Sequence, residues 1–533
     1  MNSGLLRGAI AALVLTIAQP ALAAWHEASS DHFLIYADDK PANLQRYAEN
    51  LERYHAAMAM LLGREIDKPS PSNRVVIYAV GSQKDVRNLA SARSRNVAGF
   101  YIPRAGGSRA FVQNLANEGD GDYPSISTIV LLHEYAHHFL MSSSNFAMPR
   151  WLNEGAAEFF AATSFRKDGS VMMGRAARHR VGELMFGDTL TVRNLLEASA
   201  TSNGAQRGDN SFYGYSWLLY HYLTFREDRA GQLNRYQREL IAGRSSLEAG
   251  ELAFGDLAKL NHEVRAYMRS GKTMTFVIPA DRLTIGAVAV RALPPGEAEI
   301  MDVAIRSQRG VNTEQAAQLV TEARAIAARY PDDAGVLTAL AEAEYDAGND
   351  EAAIAAADRA LARDPRRANA YVQKGYALFR LAGKAENRAA AYAKAMQPFE
   401  KLNALENDHP LPLVYYFQSY TRRGVQPPEN AKAALERAAQ LAPFDMGLKF
   451  NVALMLLGEG KVELARAFLQ PVAVNPHGGR LAANAQKVME KLAGLAEGAV
   501  IKSPAELEAL GAANGAADDD DDDDDDDGGE SAA

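Results

Sequence analysis

The sequence predicts an α+β domain followed by an all-α solenoid of helical repeats, and three observations carry that reading. Residues 32–80 run strand-like, helix-like, strand-like. Two largely apolar, helix-like stretches around residues 126–140 and 154–162 hold His and Glu at helical spacing. From residue 296 onward the texture becomes Ala-rich, with Pro331, Pro365, Pro410, Pro443 and Pro476 at intervals of 34, 45, 33 and 33 residues. A chain of 533 residues has room for two or three domains, each with its own core. The expected division is 1–23, a secretory signal; 24–271, the α+β domain; 272–295, a linker; 296–496, the repeats; and 497–533, an acidic tail.

Arg7 gives a weakly positive start, Gly8 to Ala18 is an apolar run too short to span a bilayer, and Ala21-Leu22-Ala23 offers small residues for cleavage. The mature chain is therefore expected to begin at Ala24, in the periplasm or outside the cell, with no stable membrane insertion. His32 to Ala37 and Arg74 to Val80 are β-branched and aromatic runs bounded by turn residues, hence strands, with an amphipathic helix from Leu44 to Leu62 between them. Gly99 to Pro103 and Ala110 to Gln113 flank Arg104-Ala105-Gly106-Gly107-Ser108 and read as a hairpin. Its edge strand could hold an extended peptide by strand addition. Residues 175 to 269 read as helical, and Thr275 to Leu293 as a short hairpin around Pro279-Ala280-Asp281.

His133-Glu134-Tyr135-Ala136-His137 is the segment that carries chemistry. Residues four apart on a helix lie one above the other, so His133 and His137 can present two imidazoles to one metal ion. Glu134 then stands beside the open coordination position, where it can take a proton from metal-activated water. The surroundings are apolar from Ile126 to Leu132 except at Ser127 and Thr128. Burying two His and a Glu there without partners costs several kcal/mol, a cost that metal ligation offsets. The third ligand must come from elsewhere. Glu154 opens the next helix-like stretch after a loop that lets the chain reverse, and Glu158 lies one turn further on the same face. Glu154 as ligand, with Glu158 orienting a ligating His, is the favoured assignment; spacing alone also allows the reverse. With no Cys in the chain, His and carboxylate are the strong zinc ligands available.

Together with Pro149-Arg150-Trp151-Leu152-Asn153-Glu154-Gly155-Ala156-Ala157-Glu158, the first motif resembles the gluzincin metallopeptidases. It is most similar to the peptidase MA-like families of secreted bacterial proteins with tetratricopeptide repeats. The resemblance spans roughly residues 25 to 270. It implies a zincin-like domain in which His133, His137 and Glu154 bind one Zn2+ per chain and Glu134 is the catalytic base. It also places an aromatic helix, Tyr213 to Leu223, after the zinc helices, with Tyr213, and Tyr215 as the second choice, donating to the oxyanion. His221 in that helix is read as a packing residue. An endopeptidase is implied, since no Gly-x-Met-Glu-Asn segment is present to hold a substrate amino terminus.

A 34-residue helix-turn-helix period is the tetratricopeptide signature. Leu337, Leu340, Ala353, Ala357, Ala360 and Pro365 fall at its bulky, small and turn positions, Gly375 and Ala395 at those of the next unit, and Val452, Leu456, Ala465 and Leu469 at those of a later one. About five units are expected from Pro295 to Pro476, each Pro closing a helix, with an insertion near Lys384 to Asn403 and a capping helix near Arg480 to Leu495. Such a stack leaves a groove for a protein substrate or partner. The net charge of −9 arises in the tail: Asp518 to Asp527 and Glu530 carry eleven negative charges, and without them the remainder stands at +2. Ten consecutive Asp residues repel one another and have no apolar surface to bury, so disorder is expected there. The near-neutral remainder carries neither a basic nucleic-acid footprint nor a polybasic membrane patch. Two functions follow as expectations: a secreted zinc metallopeptidase whose repeats bind substrate or partner, or an envelope scaffold in which the repeats are the function and the metal site is structural or silent.

Overall fold

A computed structural model of the protein describes residues 25–64, 68–90, 97–115, 123–144, 146–187, 190–198, 211–475, 477–501 and 506. The expected signal segment 1–23 and the poly-Asp run lie outside the described residues. The first domain begins with β1 (Trp25–Ser29), β2 (Phe33–Asp38), α1 (Pro41–Leu62), β3 (Val75–Val80), α2 (Gln83–Ala90), β4 (Gly99–Ile102) and β5 (Arg109–Gln113). Next come α3 (Ile126–Ser143), α4 (Arg150–Ala161), β6 (Ser164–Phe165), β7 (Val171–Met173), α5 (Val181–Phe186), α6 (Val192–Glu197), α7 (Phe212–Phe225), α8 (Gln232–Ile241), α9 (Ser246–Phe254) and α10 (Leu257–Ser270). β8 (Phe276–Ile278) and β9 (Ala289–Ala292) follow.

The main sheet runs β4-β5-β3-β2-β1-β9, with β2, β3 and β5 mutually parallel and the other pairs antiparallel. β2 alternates buried and half-buried side chains, and β3 (Val-Val-Ile-Tyr-Ala-Val) is buried along nearly its whole length, as a central strand covered on both faces must be. One face packs on α1 and α3. Pro41 opens α1 and Gly63 closes it in the left-handed region. Along α1, Tyr54 donates from its hydroxyl to the Leu132 carbonyl at 2.9 Å, and the Tyr135 hydroxyl meets His55 Nδ1 at 2.7 Å. These contacts fix the level of α3 against α1.

The linker differs from expectation. β8 and β9 do not pair with each other: β8 joins β6 and β7 in a three-stranded sheet, while β9 extends the main sheet beyond β1. The 272–295 segment is therefore part of the first domain, because each half finds a partner strand already in place.

Five antiparallel helix pairs follow: α11 (Pro295–Arg309) with α12 (Thr313–Arg329), α13 (Ala334–Asp346) with α14 (Asp350–Arg363), α15 (Ala368–Lys384) with α16 (Arg388–Leu405), α17 (Pro410–Thr421) with α18 (Glu429–Leu441), and α19 (Met446–Gly458) with α20 (Val462–Ala473). They end in α21 (Gly479–Leu492). Ala353, Ala357 and Ala360 are fully buried where neighbouring helices cross. The 45-residue interval is taken up by the lengths of α15 and α16, of 17 and 18 residues. Pro410 does not close a helix; it is the first residue of α17, where its missing N–H is not needed.

The two domains share apolar surface. Met301 and Ile305 of α11 cover Val76, Tyr78 and Phe111 on the second face of the main sheet. The solenoid then returns to the first domain: Ser72 bonds to Glu406, Asn73 to the Leu441 carbonyl, and the Ala105 amide to Asp445. Phe444 packs on His138 of α3 at 4.3 Å between ring centroids. Among the described residues, no helix is long and apolar enough to cross a membrane.

Candidate metal centre

Ser125 caps α3 by accepting from the Thr128 amide. Ser127 accepts from the Gln113 amide and donates to the Ala98 carbonyl, tying the start of the helix to the sheet. His133 and His137 then fall on one face, their Nε2 atoms 3.0 Å apart. α4 follows the reversal through Pro149, and its Glu154 points back at that pair. Gly155 lets α7 approach: a Cβ there would lie 2.5 Å from the Ser216 carbonyl oxygen, which is backbone and cannot rotate away. Gly155→Ala is expected to cost about 1–3 kcal/mol of stability by overpacking, read as a lower melting temperature together with weaker metal retention as α4 shifts.

Glu154 Oε2 lies 3.3 Å from His133 Nε2 and 3.4 Å from His137 Nε2. Donors at about 2.0–2.1 Å from a tetrahedral ion are separated by about 3.3 Å, so the three atoms are spaced as three corners of such a site. Both Glu154 oxygens are buried and make no hydrogen bond among the described residues. Burial alone would raise the Glu154 carboxyl, but the charges of His137 and His477 and the nearness of His133 hold it well below the usual range. Burial works against protonation of His133 as well, yet Glu154 and Glu158 outweigh it and push the imidazole up to about 10. Two buried carboxylates thus call for positive charge here, which a divalent cation on these donors would provide. The group fits a metal ion in donor chemistry, spacing and unmet polar atoms.

Glu158 stands behind His133, with Oε1 3.1 Å from Nδ1, so the ring is held between the two carboxylates. Glu158 also accepts from His179 at 2.7 Å and from Arg180 at 2.6 Å. Burial would raise its carboxyl, but Arg180 first, then His133 and His179, keep it well below the usual range. On the neighbouring imidazole, Asn153 Oδ1 faces His137 Nδ1 at 3.1 Å. His179 and Arg180 were not singled out in the sequence; the signal available was the basic run Arg178-His179-Arg180. Because this network orients His133 and raises its basicity, Glu158→Ala is expected to weaken metal affinity about 10- to 100-fold, measured by competition with a chromophoric chelator.

Tyr213, on the first turn of α7, has its ring centroid 6.4 Å from that of His133, under the Arg180 guanidinium at 4.8 Å. The Glu154 charge and burial raise its phenol above the ordinary value. Tyr215 is directed elsewhere: its hydroxyl donates to Asn261 of α10 at 2.8 Å. His221 is buried against Gly174 and Met274 carbonyls at 3.0 and 3.1 Å, away from the donor group. β4 is the last strand of its sheet, and its Tyr101 lines a cavity of about 80 Å³ together with Glu134, His137 and Asn153. A larger cavity of about 380 Å³ lies on the other side of His133, lined by Glu158, His179 and Arg180.

The small cavity is closed by the repeat domain. Asn475 and His477, in the turn between α20 and α21, complete its wall. His477 Nε2 lies 3.3 Å from Glu154 Oε1, and its ring centroid is 5.1 Å from that of His137. One donor atom from each of His133, His137, Glu154 and His477 falls within 4.8 Å of all the others. His477 was not singled out in the sequence.

Residues 125–242, which hold α3, α4 and all of α7, match a family model described as "Protein of unknown function (DUF1570)". No curated protein matches the sequence. Among solved structures, the chain is similar to TTC0263, a thermophilic TPR protein of Thermus thermophilus, at 18% identity over 36% of this chain and 93% of that one, with a TM-score of 0.29. It is also similar to MamA, at 16% identity over 37% of this chain and 98% of that one, with a TM-score of 0.25.

Proposed function

We propose that the protein is a secreted, zinc-dependent metallopeptidase of the gluzincin type, an endopeptidase whose tetratricopeptide-type repeats engage a protein substrate or partner. The observation that carries this reading is the convergence of His133 Nε2, His137 Nε2 and Glu154 Oε2 at 3.0–3.4 Å, with Glu134 adjacent on the same helix. A zinc ion held by these donors would act as a Lewis acid, polarising the scissile carbonyl and bringing the pKa of water near about 7. Glu134 accepts the proton from water as its oxygen attacks the carbonyl carbon, and later delivers it to the departing amine nitrogen. Tyr213 donates a hydrogen bond to the oxyanion that forms, an interaction worth a few kcal/mol in acyl-transfer sites. Glu158, Asn153 and Arg180 keep the two imidazoles oriented so that each Nε2 faces Glu154, where it could hold the ion. β4 offers an edge on which an extended substrate backbone can lie.

One observation favours a second reading. His477 supplies a fourth protein donor, and closed structural zinc sites carry four. In that reading the protein is a non-catalytic envelope scaffold. Glu134 weighs against it, since a closed structural site has no use for a carboxylate beside the ion. The test is metal analysis coupled to cleavage of an unfolded protein by the full mature chain and by His477→Ala. About one zinc per chain and cleavage by at least the variant are expected; full metal loading with no cleavage by either supports the scaffold.

A further inference from the structure

The four donors are not equivalent. His133, His137 and Glu154 sit on two packed helices with side-chain exposures of 2%, 3% and 0%, whereas His477 sits on a turn at 22%. That turn follows Pro471, which removes a hydrogen bond from the last turn of α20, and precedes Gly478-Gly479, with Gly479 in the left-handed region at φ +47°. The His477 amide is held by the Asn475 side chain of the same turn, at 3.1 Å. Polar contacts that anchor the solenoid to the first domain come from Gln308, Glu406, Asp408, Leu441 and Asp445, all ahead of the turn in the chain. The fourth donor can therefore withdraw without dismantling the other three.

While it is in place, nothing large reaches Glu134. The cavity beside that carboxylate measures about 80 Å³. Ligand sites run to about 300–1,000 Å³. The Glu154 Oε1 and His477 Nε2 atoms face each other at 3.3 Å, both buried and neither in a hydrogen bond among the described residues, as expected of two atoms awaiting a shared cation.

We propose that His477 is a displaceable fourth ligand, supplied by the repeat domain, that closes the position water and substrate would use and keeps the metal centre latent until His477 withdraws. The closing segment belongs to this chain, so the repeats control access to the metal as well as any partner. Release of latency, though not the coordination itself, rests on the metallopeptidase reading.

The experiment uses the full mature chain loaded with Co2+, as wild type, His477→Ala and His477→Asn, with folding checked by circular dichroism. Acetohydroxamate, a small metal-binding probe, is titrated while the visible Co2+ absorption is recorded. Both variants are expected to keep the metal, to change the visible spectrum, and to bind the probe about tenfold or more tighter than wild type, the factor expected if the open form is under about a tenth of the wild-type population. Cleavage of unfolded protein by the zinc forms should rise in parallel. Identical spectra and probe affinities in all three proteins would overturn the assignment. Loss of metal from both variants would also overturn it, by making His477 an obligatory ligand of a closed structural site. An opened metal with no cleavage supports His477 as the displaceable ligand and counts against the metallopeptidase reading alone.

Discussion

Glu134→Gln, in the His477→Ala background where the cavity is open, is expected to lower peptide cleavage by about 10²- to 10⁴-fold and leave metal content unchanged. The amide keeps the volume and much of the hydrogen-bonding capacity of the carboxylate, so α3 and the imidazoles at positions 133 and 137 stay in place. What it loses is the ability to accept a proton at neutral pH and return it to the leaving nitrogen. Glu134 is buried, yet it is not among the donor atoms that converge on one point. Cleavage assays on an unfolded protein, run with metal analysis of the same samples, separate the two roles. Equal cleavage by the two proteins would remove Glu134 from the chemistry.

Glu154→Ala is expected to have the larger effect on the protein itself. It deletes the one carboxylate of the donor group and leaves three imidazoles around a fully buried hole. The substitution removes a direct donor together with the negative charge that would balance a dication, so affinity should fall by more than the roughly 10- to 100-fold typical of losing an outer supporting group. The consequence reaches stability through linkage. At a metal concentration about 100-fold above the dissociation constant, binding adds about 2.7 kcal/mol to the folded state, or about 5–10 °C in melting temperature for a domain of about 150–250 residues. Wild type should show that shift between metal-loaded and chelator-treated samples, and Glu154→Ala should show none. A full shift in the variant would mean that the ion sits elsewhere.

Legibility of the site followed sequence distance. His133 and His137 could be paired because helical geometry alone brings residues four apart together. Glu154 and Glu158 could be set near them because a short loop returns the chain, but spacing could not decide between them. In the packed structure the two differ in place: Glu154 faces both Nε2 atoms while Glu158 is held behind His133 by His179 and Arg180. His179 sits in a single 3-10 turn, Arg178–Arg180, too short to carry a readable periodicity. His477 was illegible for a stronger reason: it reaches the site only because α11 covers one face of the sheet and the solenoid curves back onto α3, which no local pattern encodes. The same limit applies to the fold. Alternation in 275–293 marked strands correctly in kind but could not say which strands they join, and β8 and β9 went to different sheets. Pro410 shows the ambiguity of a single residue type, since Pro serves as readily at the first turn of a helix as beyond its end.

X-ray absorption at the zinc edge, on the full mature chain purified without added metal, tests the metal centre most directly. The expected result is about one zinc per chain with about four nitrogen or oxygen neighbours near 2.0–2.1 Å, imidazole scattering included, and an imidazole contribution that falls in His137→Ala. A protein that retains no zinc, or one whose zinc spectrum is the same in wild type, His137→Ala and Glu154→Ala, would contradict it.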